Sequence, residues 1–141
     1  MPTETYQELD IQTSFDEAKK VEDAIVSEAI KHEYDEEDLF ALRLSLEEAL
    51  TNAIQHGNAY DLDKKVALRY LVNRERIDVY VADEGSGFNP NLVPDPTKEE
   101  NLTCPSGRGI MLMRAYMNLV EFNEKGNEIR IVKLHKSKSG I

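Results

Sequence analysis

The apolar positions of this chain change their period several times, and each change marks an element. Leu9 and Ile11 alternate with polar residues between Tyr6 and Thr13, which predicts a short edge strand. Ala18, Val21, Ile25 and Ala29 then recur at helical spacing behind Ser14-Phe15-Asp16-Glu17, a capping-box start, and this helix is expected to end near Lys31 or His32. A second helix is predicted from Asp35, where four acidic residues favour the N-terminal dipole. Its stripe of Leu39, Leu42, Leu46, Ala49, Leu50 and Ala53 runs to Gly57, read as the C′ stop. Val66, Leu68, Tyr70 and Val72 alternate, Asn73-Arg74-Glu75-Arg76 turns, and Ile77, Val79 and Val81 alternate again, the pattern of a hairpin with one buried face. Counting by twos from Ile77 places Asp83 on that same face, and a buried carboxylate needs hydrogen-bond donors. Residues 89–106 carry Pro90, Pro94, Pro96 and Pro105 and are too long for a plain connection, which suggests a lid. Gly107-Arg108-Gly109 opens a third helix with Ile110, Met113 and Met117 read as core. Val120 and Phe122, the turn Lys125-Gly126-Asn127, and Ile129, Ile131 and Leu134 make a second hairpin.

Helices and hairpins in this order predict an α+β fold: a two-layer α/β sandwich with the helices on one face of a mixed, mainly antiparallel sheet. The 141 residues fit a single domain. Composition narrows the partners. A formal net charge of −10 repels phosphate backbones, so nucleic acid is not expected, whereas a basic protein surface would be attracted. The one cysteine, Cys104, excludes an internal disulfide and a thiolate metal cage and suits a reducing cytoplasm. With no charged-then-apolar leader and no apolar run near the roughly 20 residues of a membrane span, a cytoplasmic protein without a membrane partner is expected.

Candidate chemistry lies on three separated stretches. On the second helix, Glu48 and Asn52 stand one above the other, opposite the Leu42/Leu46/Ala53 stripe, with Glu47 turned about 100° away. Their neighbours Ala41, Ser45 and Ala49 are small and are expected to leave room for a ligand. An isolated Glu/Asn pair of this kind is usually a solvated face. Asp83 ends a strand just before Gly85-Ser86-Gly87, and Gly107-Arg108-Gly109 starts a helix, where backbone N–H groups are free to meet anions. A lone glycine pair is usually only a turn.

In this order and on these elements, the three stretches resemble the N, G1 and G2 boxes of the GHKL (Bergerat-fold) ATPases. The run Glu48-Ala49-Leu50-Thr51-Asn52-Ala53-Ile54-Gln55-His56-Gly57 is similar to the Glu-x-x-x-Asn-Ala-x-x-His-Gly signature of the bacterial anti-sigma factor serine/threonine kinases of partner-switching systems. The resemblance implies ATP and Mg²⁺ as cofactors. It implies Asn52 as the magnesium ligand and Glu48 as general base toward a serine or threonine hydroxyl. Asp83 becomes the acceptor for the adenine amino group, with Gly85 and Gly87 allowing close approach, and Gly107, Arg108 and Gly109 meet the phosphates. Thr51 carries no defined role, and His56 is read equally as a helix-end residue bonding carbonyls or as part of the nucleotide site. The implied partners are a STAS-type antagonist protein as phosphoacceptor, a sigma factor, and a second copy in a homodimer. One departure is Pro105, where some of these kinases carry a lid arginine. Two other classes share the boxes: a nucleotide-gated protein-binding regulator with little catalysis, and a histidine-kinase-like ATPase domain acting in trans.

Overall fold

Both long helices start at the side chains that the sequence offers as caps. In the structure, a computed structural model that describes residues 5–85 and 107–136, Ser14 Oγ accepts from Glu17 N at 3.4 Å. The Glu17 carboxylate reaches back past the cap to Gln12 N (3.1 Å) and so ties this helix to the strand before it. Asp35 Oδ1 accepts from Asp38 N at 2.9 Å. Each such cap contributes about 1 kcal/mol.

The elements are β1 (Gln7–Gln12), α1 (Phe15–Lys31), α2 (Glu36–Thr51) continuing into a π-helical segment (Asn52–Gly57), β2 (Lys65–Val72), β3 (Arg76–Ala82), α3 (Gly107–Tyr116), β4 (Leu119–Phe122) and β5 (Glu128–Leu134). The strands lie in the order β1-β2-β3-β5-β4. Every pairing among them is antiparallel, so the expected mixed sheet is corrected. The physical reason is the last hairpin, which enters with β5 innermost and running against β3, where a direct crossover from β3 would have left a parallel neighbour.

Period-two patterning decides which face is covered. Val66 and Leu68 of β2, Ile77, Val79 and Val81 of β3, and Ile129 and Ile131 of β5 are buried in one cluster with Ile25 of α1, Leu42 and Leu46 of α2, Ile54, and Ile110 and Met113 of α3. Fully burying each large aliphatic contributes about 1.5–3 kcal/mol. The reading of the methionines as core is borne out, since Met113 and Met117 are both buried. Leu134 closes β5 as expected, and its parity, opposite to that of Ile129 and Ile131, puts it on the other face, where it is exposed.

A second correction concerns the small residues of α2. Ala41, Ser45 and Ala49 are all buried, so this side of the helix is closed by packing and is not left open for a ligand. Small side chains here let neighbouring elements approach closely, and only Glu48 and Asn52 stay half-buried on that side. No helix among the described residues is long and apolar enough to cross a membrane.

Candidate nucleotide site

The site grows from the way α2 ends. Beyond Thr51 the helical turn widens, and Asn58 N bonds to Ala53 O at 2.8 Å, the i to i−5 pattern of a π turn. Such turns are rare and are frequent at functional sites. The sequence places Gly57 as the C′ stop, and the helical run does end there, but Gly57 is its last residue and Asn58 its C-cap. The chain reverses at Ala59 (φ 49°) and Tyr60 (φ 61°), and Gly57 is not left-handed. Glycine is needed at 57 for another reason: a Cβ there would run into the carboxylate of Asp83.

Asp83 sits just past the end of β3, half-buried, as parity foresaw. Its Oδ1 accepts from Gly85 N at 2.8 Å. Its backbone is bracketed by the β4–β5 turn, with Asp83 N donating to Asn127 O (2.9 Å) and Asn127 Nδ2 donating to Asp83 O (3.1 Å). Burial pushes the carboxyl above its ordinary value, although the Gly85 N–H, Lys125 and Lys64 pull the other way. A Cβ at Gly85 would strike the Gly57 carbonyl and crowd Asp83 Oδ1. Gly57, Asp83 and Gly85 therefore touch one another, and a partly enclosed carboxylate keeps most of its acceptor capacity for another donor.

Glu48 lies at the other end. Its Oε2 occupies the place that a Cβ at Gly109 would take, so the carboxylate rests against the first turn of α3. A helix N-terminus favours negative charge, whether from Glu48 or from a phosphate. Glu47 turns elsewhere: burial raises its carboxyl, and so does nearby Glu22 on α1, while Lys19 and Arg43 oppose the rise. Of two adjacent glutamates only Glu48 meets α3. Asn52, half-buried, begins the π segment one turn after Glu48. Thr51 is half-buried at the last position of α2. The ring nitrogen Nδ1 of His56 is enclosed and has no hydrogen-bond partner among the described residues, so a carbonyl contact is not made there.

From Glu48 to Gly57 the helical run climbs about 13 Å at about 1.5 Å per residue. The two carboxylates thus lie against opposite ends of this helical run, Glu48 at Gly109 and Asp83 at Gly57. Among the described residues no group of three His, Cys, Asp or Glu could cage a metal. Gly107 and Gly109 fall in the first turn of α3, as expected. Gly87, the lid with Cys104 and Pro105, and whatever the Arg108 side chain meets lie outside the described residues.

Sequence reasoning passed over two asparagines. Nothing in the spacing of Asn58 or Asn127 distinguishes a turn asparagine from one that holds another segment.

Comparison with known proteins identifies relatives over most of the chain. The family model described as the histidine kinase-like ATPase domain matches residues 11–133. The serine-protein kinase RsbW of Bacillus subtilis (strain 168) is 33% identical over 116 residues, which cover 77% of this chain and 71% of that protein. The RsbW of Bacillus licheniformis is 32% identical over 98 residues, covering 65% and 61%. The anti-sigma F factor of Clostridium perfringens (strain SM101 / Type A) is 31% identical over 100 residues, covering 68% and 71%. Among solved structures, that of the RsbU and RsbW domains of a Mycobacterium tuberculosis protein matches 95% of this chain and 32% of its own, with a TM-score of 0.61 at 14% identity, a likeness of fold.

Proposed function

The chain belongs to the histidine kinase-like ATPase family and, within it, to the RsbW-type serine-protein kinases, and from that premise we propose that it transfers the γ-phosphoryl group of ATP to a serine or threonine of an antagonist protein. The observation that carries this reading is the pair of contacts at the two ends of α2 and its π extension: Glu48 against Gly109, and Asp83 against Gly57.

Chemistry distributes the roles. Asp83 accepts from the adenine amino group, and Gly85 and Gly87 let the base approach. The first turn of α3, with Gly107, Arg108 and Gly109, meets the phosphates. Glu48 takes the proton of the acceptor hydroxyl as its oxygen bonds to the γ-phosphorus and the bond to the β-phosphate oxygen breaks, releasing ADP. Asn52 supplies one hard oxygen ligand, which fits Mg²⁺, an ion that keeps several waters and needs few protein ligands. When bound, magnesium neutralises charge on the triphosphate. The acceptor belongs to a STAS-type antagonist in a partner-switching system, a sigma factor competes for the same kinase, and the working form is a cytoplasmic homodimer of single-domain chains.

The test is transfer of labelled γ-phosphate to a purified STAS-type antagonist by wild-type protein and by Glu48→Gln. Acid-stable phosphoserine or phosphothreonine, reduced at least about 100-fold in the variant, is the expected result. Acid-labile product would move the protein to the phosphohistidine class, and undiminished transfer by the variant would remove Glu48 as the base.

A further inference from the structure

Asn58 is fully buried, and its side chain joins three separate stretches of chain. Its Nδ2 donates to Thr13 Oγ1 (3.1 Å), at the junction of β1 and α1, and to Lys65 O (3.0 Å), at the start of β2. Its Oδ1 accepts from Glu84 N (2.8 Å), the residue directly after Asp83. Thr13 Oγ1 donates onward to Lys64 O (2.8 Å), so the amide sits in a fixed frame that leaves its orientation no choice. The π turn delivers it there: the Asn58 N to Ala53 O bond replaces the bond to Ile54 O that a continued α-helix would make, and the residue swings inward.

We propose that Asn58 is a positioning residue for nucleotide recognition, acting through Asp83 to set the preference for adenine over guanine; this rests on the reading of Asp83 as the adenine acceptor. The turn 83–85 is held on one side by Asn127, which takes both backbone groups of Asp83. On the other side Asn58 holds Glu84 N while Gly57 abuts the Asp83 carboxylate. Without the Asn58 oxygen the turn loses its hydrogen bond to the segment that carries Gly57, and the carboxylate is free to drift from its contact. Adenine offers an amino donor at its six position and guanine offers a carbonyl oxygen there. A fixed carboxylate therefore attracts one base and repels the other, and a displaced one does neither well.

The experiment measures Mg-ATP and Mg-GTP affinities by calorimetry for wild type, Asn58→Ala, Asp83→Asn and the double variant, on protein shown to be folded by circular dichroism. ATP affinity is expected to fall about tenfold in Asn58→Ala with GTP affinity unchanged or raised. In the Asp83→Asn background the same substitution is expected to change neither, as a residue acting through Asp83 requires. An unchanged ATP-to-GTP ratio in Asn58→Ala, or a fall that persists undiminished without the Asp83 carboxylate, overturns the inference. If Asp83→Asn alone leaves the ratio unchanged, the adenine reading of Asp83 has failed instead, a result visible without any change at 58. Should Asn58→Ala not fold, Asn58→Asp keeps the oxygen that receives Glu84 N and loses both donors. A wild-type ratio in that variant supports the role of the oxygen, and a collapsed ratio removes it.

Discussion

Two aspartates close together on and beyond β3 have opposite fates. Asp78 points to the face of the sheet away from the helices, yet it is fully buried there. Tyr6 OH (2.7 Å), Arg76 Nε (3.2 Å), Arg130 Nε (3.0 Å) and Arg130 Nη2 (2.8 Å) all donate to it. Burial alone would raise its carboxyl, but the bonds from Arg130, Tyr6 and Arg76 win and hold it below its ordinary value. Arg130 also lies 5.3 Å from the centre of the Tyr80 ring, with Arg69 at 4.0 Å from the same ring. Asp83 is half-buried with one backbone donor, and burial wins. A carboxylate whose donors are all inside the fold serves the fold. One enclosed with acceptor capacity left over is what the proposed binding of a further donor requires.

The largest expected effect is on stability at the satisfied site. Asp78→Ala leaves two arginines facing a gap in the sheet surface and should lower unfolding free energy by about 3 kcal/mol, measured by urea denaturation, with the ATP affinity of the remaining folded protein unchanged. A loss under about 1 kcal/mol would show that solvent compensates the arginines and that the network is ornamental. The second effect is on binding at the unsatisfied site. Asp83→Asn should weaken ATP by about 2 kcal/mol, roughly 30-fold by calorimetry, while leaving stability within about 0.5 kcal/mol or improving it. If this variant unfolds as readily as Asp78→Ala and still binds ATP, the two carboxylates do not differ as described.

The smallest effect is on pH, where the signs are opposite. The folded-state value of Asp78 lies below the ordinary 3.8, so its stabilisation is present above that value and is lost as pH falls through the lower, folded one. The folded-state value of Asp83 lies above 3.8, so its contribution to the fold is complete below 3.8 and is lost as pH rises through the raised value; at neutral pH the ionised group costs the fold something. In the proposed role of Asp83, adenine needs that ionised acceptor. ATP affinity should therefore fall as pH drops from neutral through the raised folded-state value of Asp83 while the fold stays intact, and the decline should vanish in Asp83→Asn. A decline of the same size in the variant would assign the titration to another group.

Much of this could be read from spacing. The period of Ala18, Val21, Ile25 and Ala29, and the alternation through Ile77, Val79 and Val81, fixed which faces meet, because burial follows side-chain direction and direction follows backbone period. Glu48 over Asn52 and the parity of Asp83 were legible for the same reason. Three features were not. Gly57 looked like a helix stop because glycine usually serves that purpose, whereas its missing side chain makes room for a carboxylate on another element. The stripe of Ala41, Ser45 and Ala49 looked like space for a ligand and is filled by packing. Asn58 has nothing in its spacing to mark it, yet it joins three segments.

The sequence by itself determined the elements, their covered faces, and the residue types able to hold a nucleotide, because these depend on interactions within a few residues along the chain. Only the tertiary structure decided that Glu48 lies against the start of α3, that Asp83 lies against Gly57, and that Asp78 and not Asp83 is satisfied by the fold's own donors. Those outcomes depend on groups far apart in the chain, and how far each charge is removed from water is fixed only when the elements that carry those groups have packed.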